Sequence, residues 1–185
     1  MKKKTIIILI VLCLITIISV TYAYIVRETN TSSIITFGSL KMDLIETTIK
    51  DGEEVRVTNH DDMDISNTNT ASRIVKVKNI GNHPMYVRVS LNIEGKTKSK
   101  EAIDTTNLVS MNIKDNWTYK DGYYYYNEVL NPDETTSELI DEIVFNNNYI
   151  VDNYDRSKFT LNIKAQAVQS EHNKENVLEA VGWPE

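Results

Sequence analysis

Three kinds of residue in this chain could carry chemistry: histidines, a knot of aspartates and a run of tyrosines. His60, His83 and His172 are spread over more than a hundred residues. None forms H-E-x-x-H or any pair at metal-ligand spacing, so they read as surface or loop imidazoles. Asp61, Asp62 and Asp64 crowd one short stretch. Counted from Asp62, Asp64 and Ser66 match the first positions of an EF-hand loop, but Asn67 replaces its turn glycine and Arg73 its closing glutamate. The expectation is a solvated acidic loop; its spacing leaves calcium binding open. No nucleophile elbow, phosphate-cradling glycine loop or carboxylate pair with a recognisable context occurs, and six glycines leave little room for one. No catalytic, cofactor-binding or metal-binding residue is assigned, no cofactor is expected, and the expected protein is not an enzyme.

Tyr123, Tyr124, Tyr125 and Tyr126 stand in a row after Asp121-Gly122. Asp-Gly makes a two-residue hairpin turn, and "WTYK" just before it supplies a partner strand. In a strand Tyr123 and Tyr125 face one way and Tyr124 and Tyr126 the other. One pair packs inward, and the other lies on an open face where its rings can stack on a sugar or a protein partner. Tyr124 and Tyr126 are the candidate interaction surface.

The elements that must position these residues alternate with period two. "MYVRVSLNI" (85–93) puts Met85, Val87, Val89, Leu91 and Ile93 on one face, and "FTLNIKAQA" (159–167) does the same with Phe159, Leu161, Ile163, Ala165 and Ala167. Weaker matches are Leu40/Met42/Leu44, Val55/Val57, Val75/Val77 and Ile143/Phe145. Turn signals separate them at Asp51-Gly52, Gly81-Asn82-His83-Pro84, Asp121-Gly122 and Asn131-Pro132-Asp133. The pattern predicts an all-β fold, an antiparallel β-sandwich with short helices. A charged connection over 94–106 is expected to lead into a short helix toward Met111, and residues 146–157 form a polar insertion. Residues 173–183 predict a short helix with Asn173 as its N-cap, docking Trp183 on the sandwich.

At the other end, Lys2, Lys3 and Lys4 precede Thr5 to Val26, which carry no charge. Twenty-two such residues at about 1.5 Å each would span a bilayer as a helix. The lysines predict a cytoplasmic start and export of everything after Arg27. Thr21 and Ala23 are candidate signal-cleavage positions at −3 and −1, with an uncleaved anchor as the alternative. Localisation is therefore expected to be secreted, or on the outer face of the cell membrane. Cys13, the single cysteine, lies inside the leader, so the exported part has neither disulfides nor thiolate chemistry. Removing residues 1–23 takes away three lysines and no acid, which moves the formal charge from −6 to −9. Such a surface repels nucleic acid and anionic lipid; contact with a membrane is expected only through the N-terminal segment.

With these elements in place the chain resembles the TasA/camelysin-like family of exported Firmicute surface and matrix proteins. The resemblance rests on "TYAYIVRETNTSSIITFGSLKMDL", with Thr36, Gly38, Leu40 and Met42, and on "VKVKNIGNHPMYVRVSL", with Asn79, Gly81, Pro84, Tyr86 and Arg88. It continues through "WTYKDGYYYYNEVLNPDETTSELIDEIVF", with Trp117, the four tyrosines, Leu130, Pro132, Glu134 and Thr135, and ends at "IKAQAVQSE" and Trp183. Asp133 stands where the family's hairpin has Gly, which implies a different turn there. The resemblance implies an Ig-like or jelly-roll sandwich, processing by a SipW-type signal peptidase, and a cell-surface or biofilm-matrix role. Its camelysin label, a surface metallopeptidase, finds no zinc ligands at recognisable spacing here.

Residues 1–23 are thus expected to be a signal peptide, 24–39 an N-terminal arm, and 40–185 the β-sandwich domain. The expected function is that of an exported, non-catalytic surface or matrix protein, a fibre subunit or accessory that associates with itself or with matrix partners. Its arm, carrying Ile34, Ile35 and Phe37, is the candidate donor strand for a neighbouring subunit's sheet edge. The alternative is a membrane-tethered module that binds a glycan or a protein.

Overall fold

Alternating apolar residues, punctuated by Asp-Gly turns, produce strands almost throughout. The computed structural model describes residues 34–37, 40–57, 69–146 and 157–184. Its first strands are β1 (Ile34–Phe37), β2 (Leu40–Lys50), β3 (Glu53–Arg56), β4 (Thr70–Ser72), β5 (Ile74–Asn79) and β6 (Met85–Lys96). Then follow β7 (Ala102–Ile103), β8 (Val109–Ile113), β9 (Trp117–Lys120), β10 (Tyr123–Tyr126), β11 (Ile140–Phe145) and β12 (Lys158–Gln169). All strand pairings among the described residues are antiparallel. The fold is all-β.

The two strongest alternating segments become partners. β6 and β12 pair along their full lengths, from Lys158 opposite Lys96 to Gln169 opposite Met85. β10 and then β9 extend this sheet on the far side of β6, and β7 adds to the end of β6. In a second sheet, β2 pairs with β5 along one edge and with β1 and β3 along the other. β2 and β3 are joined by Asp51 (φ 54°) and Gly52 (φ 85°), and β9 and β10 by Asp121 (φ 51°) and Gly122 (φ 85°). Two positive φ values in succession are the hairpin geometry that Asp-Gly favours, because its twist matches that of the flanking strands.

β4 and β5 act as one strand bent at Arg73. Opposite them runs residues 134–145: Asn79 N–H bonds Glu134, Thr136 and Leu139 N–H bond Val77 and Val75, and Arg73 N–H bonds Asp141. Four residues on one side, Thr136 to Leu139, thus span three on the other, Val75 to Val77, a β-bulge in the ladder. β11 continues this run, paired with β4 and β8.

These sheets share one main core. Met42, Val75, Val77, Ile140, Ile143 and Phe145 meet Met85, Val87, Val89, Phe159, Leu161 and Ala165 in one buried cluster. The Phe145 and Phe159 rings sit 5.0 Å apart, edge to face. Burying such side chains contributes about 1.5–3 kcal/mol each, the driving force available to a cysteine-free body.

Two local expectations change. No helix forms toward Met111; Val109–Ile113 is β8, held by β11. The expected helix over 173–183 reduces to a 3₁₀ turn, Val177–Glu179, capped by Asn176, whose side chain accepts from Leu178 N–H. Gly182, at φ 84°, and Pro184 oppose helical continuation. Asn173 instead ties a loop: its Nδ2 donates to the carbonyls of Gln169 and Val181, and its Oδ1 accepts from Val181 N–H. The expected leader, Thr21 and Ala23, the acidic loop with Asp61, Asp62 and Asp64, and nearly all of the polar insertion lie outside the described residues.

Candidate functional site

The tyrosine hairpin forms as expected, with Tyr123 opposite Lys120 and Tyr126 opposite Trp117. Its facing is the reverse of the expectation for Tyr124 and Tyr126. Tyr126 is buried in the main core, its ring 5.2 Å from that of Trp117. Tyr124 is half-buried against the same core, and its ring lies 5.0 Å from that of Tyr119. Burial, reinforced by Tyr119, raises the Tyr124 phenol above its ordinary pKa. Tyr119, on β9, reaches solvent, at 63% exposure.

Tyr123 and Tyr125 point to the opposite face of the sheet, which is also covered. Residues 170–184 cross it as a strap, forming a second cluster of Tyr86, Tyr125, Val168, Val177 and Ala180, flanked by Tyr123, Leu178 and Trp183. Arg88 organises this face. Its guanidinium carbon sits 4.0 Å from the Tyr123 ring centre and 4.6 Å from that of Trp183. The same group donates to Gln166 Oε1 (2.7 Å), Tyr125 Oη (3.1 Å) and the Pro184 carbonyl (3.3 Å). Trp183 docks on the sheet as expected, edge-on to Tyr125 at 5.5 Å.

The candidate donor strand occupies an edge in its own chain. Ile34, Ile35, Thr36 and Phe37 of β1 pair with Asp43, Met42, Lys41 and Leu40 of β2. β3 covers a different stretch of that edge, opposite Thr47 to Lys50. β2 therefore has a four-residue slot, filled by main-chain hydrogen bonds from a segment only two residues upstream.

The remaining polar candidates do not assemble. His83 Nδ1, half-buried, lies 3.6 Å from Oε2 of the exposed Glu171, and His172 sits exposed in a turn at φ 62°. Among the described residues no three His, Cys, Asp or Glu side chains come together as a metal-holding group. His60 lies outside them.

Two polar centres are buried, one at Glu46 and Arg73 and one at Asn79, the latter a position of the motif that carries the resemblance. Glu46 and Arg73 form an ion pair (Nε to Oε1, 3.3 Å) at the bend between β4 and β5, where burial lowers the guanidinium's pKa and Glu46 opposes the shift. Asn79, fully buried, donates through Nδ2 to the carbonyls of His83 (2.9 Å) and Leu130 (3.0 Å) and accepts from Gly81 N–H (2.9 Å). The N-x-G spacing was the available signal for that turn; Glu46 and Arg73 offered none. Comparison with protein-family models, with curated proteins and with solved structures gives no match for this chain.

Proposed function

We propose that this is an exported, non-catalytic protein of the cell surface or extracellular matrix, a β-sandwich of Ig-like or jelly-roll type that assembles by strand donation. The observation that carries the reading is the β1 slot: a short N-terminal strand held on the edge of β2 by main-chain pairing. Because the slot reads backbone, the same segment from a second copy fits it in the same register. Within one chain the two-residue connection 38–39 favours the local hairpin. In an assembly the arm of one subunit takes the slot of the next, and head-to-tail repetition gives a filament.

The sequence supplies the rest of the proposal. A charged start, an uncharged run over Thr5 to Val26 and the candidate cleavage positions Thr21 and Ala23 support export. The resemblance to TasA/camelysin-like proteins supports processing by a SipW-type signal peptidase and a matrix role. An uncut leader would tether the arm and prevent donation, making cleavage the switch for assembly. Purified residues 24–185 should form filaments that persist in salt, whereas residues 40–185 should stay monomeric. If both remain monomeric at high concentration, strand donation is wrong.

A second reading, a tethered glycan- or protein-binding module, is favoured by Tyr119, exposed and with its ring tilted against that of Tyr124. Glycan titration that shifts Tyr119 fluorescence or NMR signals would support it.

A further inference from the structure

The strap is attached in an unusual way: sheet side chains hold its main-chain carbonyls. Tyr86 Oη lies 2.9 Å from the carbonyls of both Lys174 and Glu175, Lys120 Nζ donates to Leu178 (2.8 Å), and Gln166 Nε2 donates to Pro184 (3.0 Å). Arg88 adds a second bond to Pro184. The strap contributes Val177, Ala180 and Trp183 as apolar anchors at three-residue intervals. We infer that this face of the β6–β10–β12 sheet is a peptide-docking surface, and that residues 171–184 of a second copy of this chain exchange into it.

Three features support exchange. The anchors pack in a cluster separate from the main core, so the strap can leave without opening that core. The connection to β12 turns at Ser170–Asn173 and holds His172, a residue with a β-carbon, in the left-handed region at φ 62°; release relaxes that strain. The second copy's strap carries the same carbonyls and the same three anchors. Tethering gives the chain's own strap a high effective concentration, so closed monomers prevail in dilute solution and reciprocal exchange grows with crowding. The contact lies on a different sheet from the β1 slot and does not depend on strand donation.

The test uses the full chain in mild detergent. One variant, Val177→Ala with Trp183→Ala, has a weak strap and an intact face; another, Arg88→Ala with Tyr125→Ala, has the reverse. Mixed, they should form a one-to-one complex in native mass spectrometry that neither forms alone; no complex would overturn the inference. Should the second variant not fold, a fluorescein-labelled peptide of residues 170–185 tests the same face. It should bind the weak-strap chain at least tenfold more tightly than wild type, whose own strap competes. Trp183→Ala in the peptide should weaken that binding at least tenfold. Equal affinities for the two chains, or no effect of the Trp183 change, would contradict exchange.

Discussion

Asn79 satisfies five hydrogen-bonding demands without touching water. Beyond its three side-chain bonds, its N–H donates to Glu134 and its carbonyl accepts from Asp133. It thereby joins β5, the turn before β6 and the segment after Leu130. Asn79→Ala leaves the His83 carbonyl and the Gly81 N–H without this partner, whereas the Leu130 carbonyl keeps the Met85 N–H; each buried group left unpaired costs about 1–3 kcal/mol. Urea denaturation should show a loss of about 2 kcal/mol or more, with the slope unchanged. Asp141 sets a pH dependence. The Lys114 ammonium bonded to it holds its pKa below the ordinary carboxylate value, against a smaller opposing effect of burial, and Asn112 Nδ2 donates to it at 3.2 Å. A carboxyl depressed in the folded state adds stability above its unfolded pKa, about 3.9, and loses it as pH falls through the folded value. The stability difference between wild type and Asp141→Asn should thus be constant above about pH 5 and shrink in acid below about pH 4. A difference independent of pH would remove Asp141 from the account.

Among the elements, packing also limits substitution. Gly95, buried near the end of β6, leaves no room for a side chain: a β-carbon there would lie 2.8 Å from Phe159 Cε1 and 3.0 Å from Ile103 Cβ. Gly95→Ala should cost about 1–3 kcal/mol, read by thermal or urea unfolding, since β7 and the Phe159 ring must shift. The two long strands were legible in sequence because β6 and β12 bury one face more completely than the other along most of their length. The facing of the tyrosines was not, because β10 is covered on both faces, by the core and by the strap, and alternation then carries no information about which side is which. Val177, Leu178 and Val181 imitated a helix, but an irregular strap needs only occasional apolar anchors and can show the same spacing. Asp133 stands at φ 65°, in the left-handed region that Gly enters most readily. Asp tolerates that region better than most residues. The Glu46–Arg73 pair joins positions far apart in sequence, and no local pattern announces it.

For the whole molecule, the proposed strand donation requires that one segment fill the same slot within a chain or between chains. Residues 24–185 contain no cysteine, so an introduced pair reports cleanly on which of these occurs. Thr36 of β1 and Lys41 of β2 are directly opposite each other, and Lys41 is exposed. Opposed residues in an antiparallel pair lie within disulfide reach. The decisive measurement is a non-reducing gel of residues 24–185 carrying Thr36→Cys and Lys41→Cys, oxidised before and after assembly. Strand donation predicts monomers before assembly and a ladder of covalent multimers afterwards; assembled material that runs only as monomer would contradict it.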